Sequence, residues 1–122
     1  MKNAITWFEI PVSDFDRALK FYNHIIEGEL EIHDFGGFKM GWFPYDQKSV
    51  SGSICYGEDY VPSKNGVVIY FDANPDLNSM LDKVKEAGGE IIQEKTLITE
   101  DIGYMALFLD SEGNRIALHS KN

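Results

Sequence analysis

Apolar and polar residues alternate over residues 4–12. Thr6, Phe8, Ile10 and Val12 fall on one face and Trp7, Glu9 and Pro11 on the other, which predicts a strand. The spacing then changes. Phe15, Ala18, Leu19, Tyr22, Ile25 and Ile26 recur at helical intervals, so a helix of about four turns is expected from Phe15 to Glu27. Ser13 or Asp14 can cap its start, and Gly28 ends it. Three short strands follow, at about 29–34, 38–43 and 51–56, with Phe35-Gly36-Gly37-Phe38 as a hairpin turn. Residues 57–65 form a polar connector.

The order then recurs. A strand is expected at 67–71, a turn at 72–76, and a helix from Leu77 to Ala87 closed by Gly88-Gly89. Strands at about 90–95, 104–109 and 115–120 follow, the last two joined by Asp110-Ser111-Glu112-Gly113-Asn114, whose Asp, Ser and Gly suit a tight turn. The pattern is βαβββ twice, with Asp14 and Asp76, and Ile54 and Ile116, each 62 positions apart. The expected fold is α+β: two βαβββ modules giving a curved, mostly antiparallel open sheet with helices on the convex side. The whole chain, 1–122, reads as one domain, with module one about 4–56, the connector 57–65 and module two about 66–120. A concave sheet face that no helix covers, and that carries Trp, Tyr and Met, is a natural ligand pocket.

Composition narrows the partners. Of 122 residues, 43% are hydrophobic and 25% charged, a balance that supports a folded core. The formal charge of −9 argues against nucleic acid and anionic membrane surfaces. Cys55 is the single cysteine, so no internal disulfide is available, which suits a reducing compartment. The opening Met1-Lys2-Asn3-Ala4 lacks the apolar stretch of a secretory signal, and no apolar run is long enough to span a bilayer, so a cytoplasmic protein is expected. Glycine-rich nucleotide loops, a Gly-x-Ser-x-Gly elbow and Cys-x-x-Cys pairs are all missing from the sequence.

Trp7-Phe8-Glu9-Ile10-Pro11-Val12-Ser13-Asp14 with Arg17-Ala18 and Phe21-Tyr22 resembles the opening of a vicinal oxygen chelate module. Gly88-Gly89-Glu90, Gly103-Tyr104 and Asp110-Ser111-Glu112-Gly113-Asn114-Arg115-Ile116 resemble its second half. That superfamily includes glyoxalase I, fosfomycin and bleomycin resistance proteins and extradiol dioxygenases. The resemblance implies a homodimer with ligand cavities between paired sheets. It also implies that metal-using members place His, Gln or Glu at four matching positions, in the first and last strand of each unit. By the 62-residue interval those positions are Trp7, Cys55, Ile69 and Ala117, none of which is His, Gln or Glu. No metal site and no cofactor is therefore expected there, while a divalent metal at a displaced site remains open.

Two residues are candidates for catalysis. Glu9, beside Trp7, is a carboxylate that aromatic neighbours could desolvate, fitted to act as a base or to hold a cation or hydroxyl; Arg115, Lys39 or a tyrosine hydroxyl could equally satisfy it. His119 follows Arg115 and Ala117 in phase and could be an acid, base or ligand. Ligand-binding candidates are Trp7, Glu9, Trp42, Cys55, Tyr70 and Tyr104, the aromatic ones for stacking and Cys55 as a pocket thiol or a small apolar filler. His24 and His33 read as structural or exposed. Three functions stay open: a metal-free binder of a small organic molecule, a metal-dependent enzyme resembling lactoylglutathione lyase or a dioxygenase through Glu9 and His119, and an interaction module.

Overall fold

The computed structural model describes residues 3–122, so Met1 and Lys2, where the reading of a missing secretory signal begins, lie outside the described residues. In chain order the elements are β1 (Trp7–Pro11), α1 (Phe15–Ile26), β2 (Glu31–Asp34), β3 (Lys39–Trp42), β4 (Ser51–Tyr56), β5 (Tyr70–Asp72), α2 (Asn78–Glu86), β6 (Glu90–Thr99), β7 (Gly103–Leu109) and β8 (Arg115–Ser120). This is the doubled βαβββ order. The strands form two four-stranded sheets, β1-β4-β3-β2 and β5-β8-β7-β6. In each, the first strand pairs in parallel with the last, and the remaining pairs are antiparallel. No helix among the described residues is long and apolar enough to cross a membrane.

One core joins the two units. Ile10 and Ile54 of the first sheet and Ala106, Phe108, Ile116 and Leu118 of the second pack against Phe21, Tyr22 and Ile25 of α1 and Leu81 and Val84 of α2. Helix α1 reaches both sheets: Tyr22 packs edge-on against Phe43 at 5.5 Å, and Phe21 meets Phe108 at 6.2 Å. Burial of these side chains, each contributing about 1.5–3 kcal/mol, dominates the driving force. Phe8 lies flat over Gly52, where any Cβ would stand 2.5 Å from the ring, so only glycine lets that aromatic side chain lie there.

Asp14, rather than Ser13, caps α1: its Oδ1 accepts from Arg17 N at 3.0 Å. The other end differs from expectation. The left-handed residue is Glu27 (φ 52°, ψ 47°), one position before Gly28. Leu30 N donates to Asn23 Oδ1 at 2.8 Å, and this bond sets where the chain must turn out of the helix. Glu27 is exposed, and its ion pair with Lys83 is a surface one. Glu27→Gly should therefore raise the unfolding free energy by about 0.5–1 kcal/mol, read as a higher denaturation midpoint with an unchanged slope.

The second unit departs from its pattern in length. β5 is only three residues, and β6 runs to Thr99 with register shifts between Ile91 and Gln93, Gln93 and Thr96, and Leu97 and Thr99. Such bulges bend a strand and increase its twist.

Candidate functional site

The two units match through equivalent hydrogen bonds. Val12 N donates to Cys55 O at 2.9 Å, and Ala73 N to His119 O at 2.8 Å. Ile10 pairs with Ile54, and Phe71 with Leu118. The structural repeat is thus 61 residues in the first strands, Ile10 to Phe71, and 64 in the last strands, Ile54 to Leu118. It is not the uniform 62 of the sequence reading. The extra residue between Ala73 and Asp76, relative to Val12 and Asp14, takes the interval from 61 in the first strands to 62 at the helix starts, and two more residues beyond take it to 64 in the last strands. Two assignments are corrected. The partner of Trp7 is Val68, since Ile69 is in phase with Phe71 and packs on the core; the partner of Ala117 is Ser53, since Cys55 matches His119.

On the first sheet, the face turned away from the helices carries Trp7 and Glu9 from β1, Glu31 and His33 from β2, Met40 and Trp42 from β3, and Ser53 and Cys55 from β4. Its rings touch. Trp7 meets Trp42 at 5.6 Å and 77°, Tyr45 meets Trp7 at 5.7 Å and 89°, and His33 lies over Trp42 at 3.8 Å. Trp7 Nε1 donates to Ser53 Oγ at 3.3 Å, and Ser53 Oγ lies 3.2 Å from Cys55 Sγ. Trp42 Nε1 is buried and has no hydrogen-bond partner within the described residues.

Glu9 finds its partner in the connector: Tyr60 donates its hydroxyl to Glu9 Oε1 at 2.8 Å. That bond is the main cause that pushes the Tyr60 phenol up to about 12, because losing the proton would set two anions together. Of the partners open to Glu9 in the sequence, the structure selects a tyrosine hydroxyl. Glu9 itself is exposed, so its aromatic neighbours do not enclose it as the sequence reading expected. Cys55 is fully buried, and burial pushes its thiol up to about 12, away from the thiolate that a metal or an electrophile requires.

β1 and β5 are the edge strands of their sheets, and a cleft of about 920 Å³ runs along the seam between them. Trp7, Glu9, Val68 and Tyr70 line it, so Tyr70 of the second sheet joins the first-sheet candidates. His119 does not. Its Nε2 sits 2.7 Å from Ile102 O, which fixes the proton on that nitrogen, and it lines a neighbouring cavity with Ile98 and Ile102 that shares Tyr70, Phe71 and Asp72 with the cleft. Glu9 and His119 each bond elsewhere, to Tyr60 and to Ile102 O. Tyr104 is also corrected: it pairs with Ser120 in phase with the buried Ala106 and Phe108, packs on the core, and carries Lys95 Nζ over its ring at 4.5 Å. Of the residues that the sequence reading missed, His33 was accessible by strand phase, since it pairs with Met40 on the face that carries Trp42, whereas Tyr45 and Tyr60 reach the face from loops that carry no periodic signal.

The chain belongs to the Glyoxalase/Bleomycin resistance protein/Dioxygenase superfamily, whose model matches residues 4–118. Among solved structures it is similar to a glyoxalase I mutant from Zea mays, with a TM-score of 0.71 at 18% identity over 97% of this chain and 45% of that one. It is similar to the fosfomycin resistance protein FosX from Listeria monocytogenes, with a TM-score of 0.70 at 18% identity over 100% of this chain and 94% of that one. TnmS3, an antibiotic binding protein from Streptomyces sp. CB03234, gives a TM-score of 0.64 at 20% identity over 98% and 97%. No curated protein matches the chain.

The superfamily often uses a divalent metal. In this chain the four matching positions hold Trp7, Ser53, Val68 and Ala117. An indole N–H, a neutral hydroxyl and two hydrocarbon side chains do not fit a cation that needs imidazole, thiolate or carboxylate donors. The one-position-deeper alternative replaces Ser53 and Ala117 with Cys55 and His119, a protonated thiol and an imidazole already bonded to a carbonyl. Among the described residues no three His, Cys, Asp or Glu side chains converge.

Proposed function

We propose that this protein binds a small organic molecule in the seam cleft and on the aromatic face beside it, without using the superfamily metal site. The observation that supports this most directly is the Trp7 Nε1 to Ser53 Oγ bond at 3.3 Å. It spans two of the four positions where metal ligands would stand, and fills them with an aromatic wall instead. The adjoining cleft of about 920 Å³ falls within the size range of small-molecule sites. The antibiotic-binding and fosfomycin-resistance neighbours show that this fold accommodates small-molecule work, with the site deciding which. A cytoplasmic homodimer is part of the reading: the exposed edge strands β1 and β5, and exposed Val67 and Tyr70 at the seam, are surfaces that a second copy would cover.

Trp7 and Trp42 are the only tryptophans in the chain, so tryptophan fluorescence reports on this face alone. Titration with planar apolar compounds should change that emission saturably, and Trp7→Ala should weaken binding about tenfold, the loss of one stacking partner. The protein exposed to nickel, zinc, manganese or iron and then desalted should retain no stoichiometric metal. Stoichiometric metal that disappears in Glu9→Ala, together with no response to any organic compound, would replace this reading with a metal-dependent enzyme.

A further inference from the structure

Resting on that reading, we propose that the ligand is an organic cation, its charge carried on a planar aromatic body, seated against the corner formed by Trp7, Trp42 and Tyr45 between the carboxylates of Glu9 and Glu31.

The three rings stand nearly perpendicular to one another, at 77°, 89° and 69°. Their faces therefore point in three directions around one corner, with one face of Trp42 covered by His33 at 3.8 Å. The face of an aromatic ring carries negative potential, so a corner of this kind attracts a cation and repels an anion. The carboxylates add to this. Glu9 is next-but-one to Trp7 on the same face of β1, and Glu31 is directly opposite Trp42. Lys39, the nearest strand lysine, points to the other face, with its Nζ 5.9 Å from the Phe15 ring. No lysine or arginine occupies an open-face position of β1 to β4, and the whole chain carries −9. The corner is reachable, because Tyr45 is 50% exposed and the Glu31 side chain 69% exposed. An anionic ligand would gain nothing from these groups and would meet two carboxylates; a neutral aromatic one would gain only stacking. A planar cation gains stacking, ring-face attraction and Coulombic attraction together.

Three acridines of nearly one shape separate these terms: 9-aminoacridine, a cation; acridine, neutral; and acridine-9-carboxylate, an anion. Binding is measured on the full chain by calorimetry and tryptophan quenching at about pH 8. The expected order is cation, neutral, anion, with the cation at least about tenfold tighter than the anion. The double substitution Glu9→Gln with Glu31→Gln should remove most of that ratio. Glu100→Gln with Asp101→Asn, equal in charge but on the exposed β6–β7 turn, should leave it unchanged, which separates the local carboxylates from the overall charge. Equal binding of all three acridines, or a ratio that falls equally in both double variants, would overturn the cation assignment and leave the small-molecule reading standing. Binding of none of them, with no change in emission, would remove the aromatic face as a site and both readings with it.

Discussion

Glu112→Ala should lower the unfolding free energy by about 2–3 kcal/mol, because it removes the carboxylate that accepts from two main-chain N–H groups and the Arg17 guanidinium at the start of α1. In a chain of this size that corresponds to a fall in Tm of roughly 6–12 °C. Glu112 sits at the tip of the β7–β8 hairpin, and its side chain is fully buried. Oε1 accepts from Ser13 N at 3.0 Å, Asp14 N at 2.8 Å and Arg17 Nη2 at 3.0 Å, while Oε2 accepts from Arg17 Nε at 2.7 Å and Ser111 Oγ at 3.0 Å. One carboxylate of the second unit thus holds the start of α1 in the first. Arg17 is half exposed, so the main-chain bonds carry more of the effect than the ion pair.

The same carboxylate makes a pH prediction. Hydrogen bonds from Arg17, Ser13, Asp14 and Ser111 outweigh its desolvation and hold Glu112 down to about 2, from an ordinary 4.5. A lowered carboxylate contributes stability that is complete above about pH 4.5 and is lost as pH falls toward 2. The stability gap between the native chain and Glu112→Gln should therefore close over that window, as read from urea midpoints at successive pH values. Asp110 works in the opposite sense. Its burial raises it despite the 2.5 Å bond from Tyr22 Oη, so the folded state takes up that proton first as pH falls. Both proteins keep Asp110, so its contribution cancels in the comparison. A gap that stays constant from pH 6 to 3 would show that Glu112 acts through shape alone.

Gly103→Ala should cost more, roughly 3–4 kcal/mol, from backbone strain together with overpacking. Gly103 has φ +106°, and an added Cβ would stand well inside contact distance of Ser120 O and 2.9 Å from Lys121 Cα. Both obstacles are main chain and cannot rotate away. To relieve the clash, the β6–β7 turn must lift from the end of β8, which breaks the His119 to Ile102 O contact. The loss should appear as a lower denaturation midpoint and as faster hydrogen exchange at Tyr104 and Ser120, which pair there. Gly36→Ala is the control. Its φ is +86° with no atom within 4 Å of the added Cβ, so strain alone remains and the cost should be about 1–2 kcal/mol.

Much of the fold was legible because its signals are local. Alternation in Trp7–Val12 and helical spacing in Phe15–Ile26 report burial within one element, and both elements form where they are expected. Trp7, Glu9, Trp42 and Cys55 were placed on the open face by the same parity. Tyr104 was misplaced because strand parity gives two faces without saying which one the helices cover. Ile69 was matched to the wrong partner because a uniform repeat cannot register one extra residue before the second helix, and Cys55 because two more residues enter after that helix begins. Glu112 showed only as part of a turn; its bonds to Ser13 and Asp14 cross about a hundred residues of sequence, and no periodicity reaches that far.

The sequence by itself determined the doubled βαβββ order and the aromatic and acidic character of one strand face. These follow from side-chain chemistry and from the fixed periods of helix and strand. Only the tertiary structure decided that Tyr45 completes the corner with Trp7 and Trp42, that Tyr60 answers Glu9, and that Ile102 O holds His119. Those are contacts between segments whose separation in space is set by how α1 packs across both sheets, a single balance of the whole core that no local stretch of sequence contains.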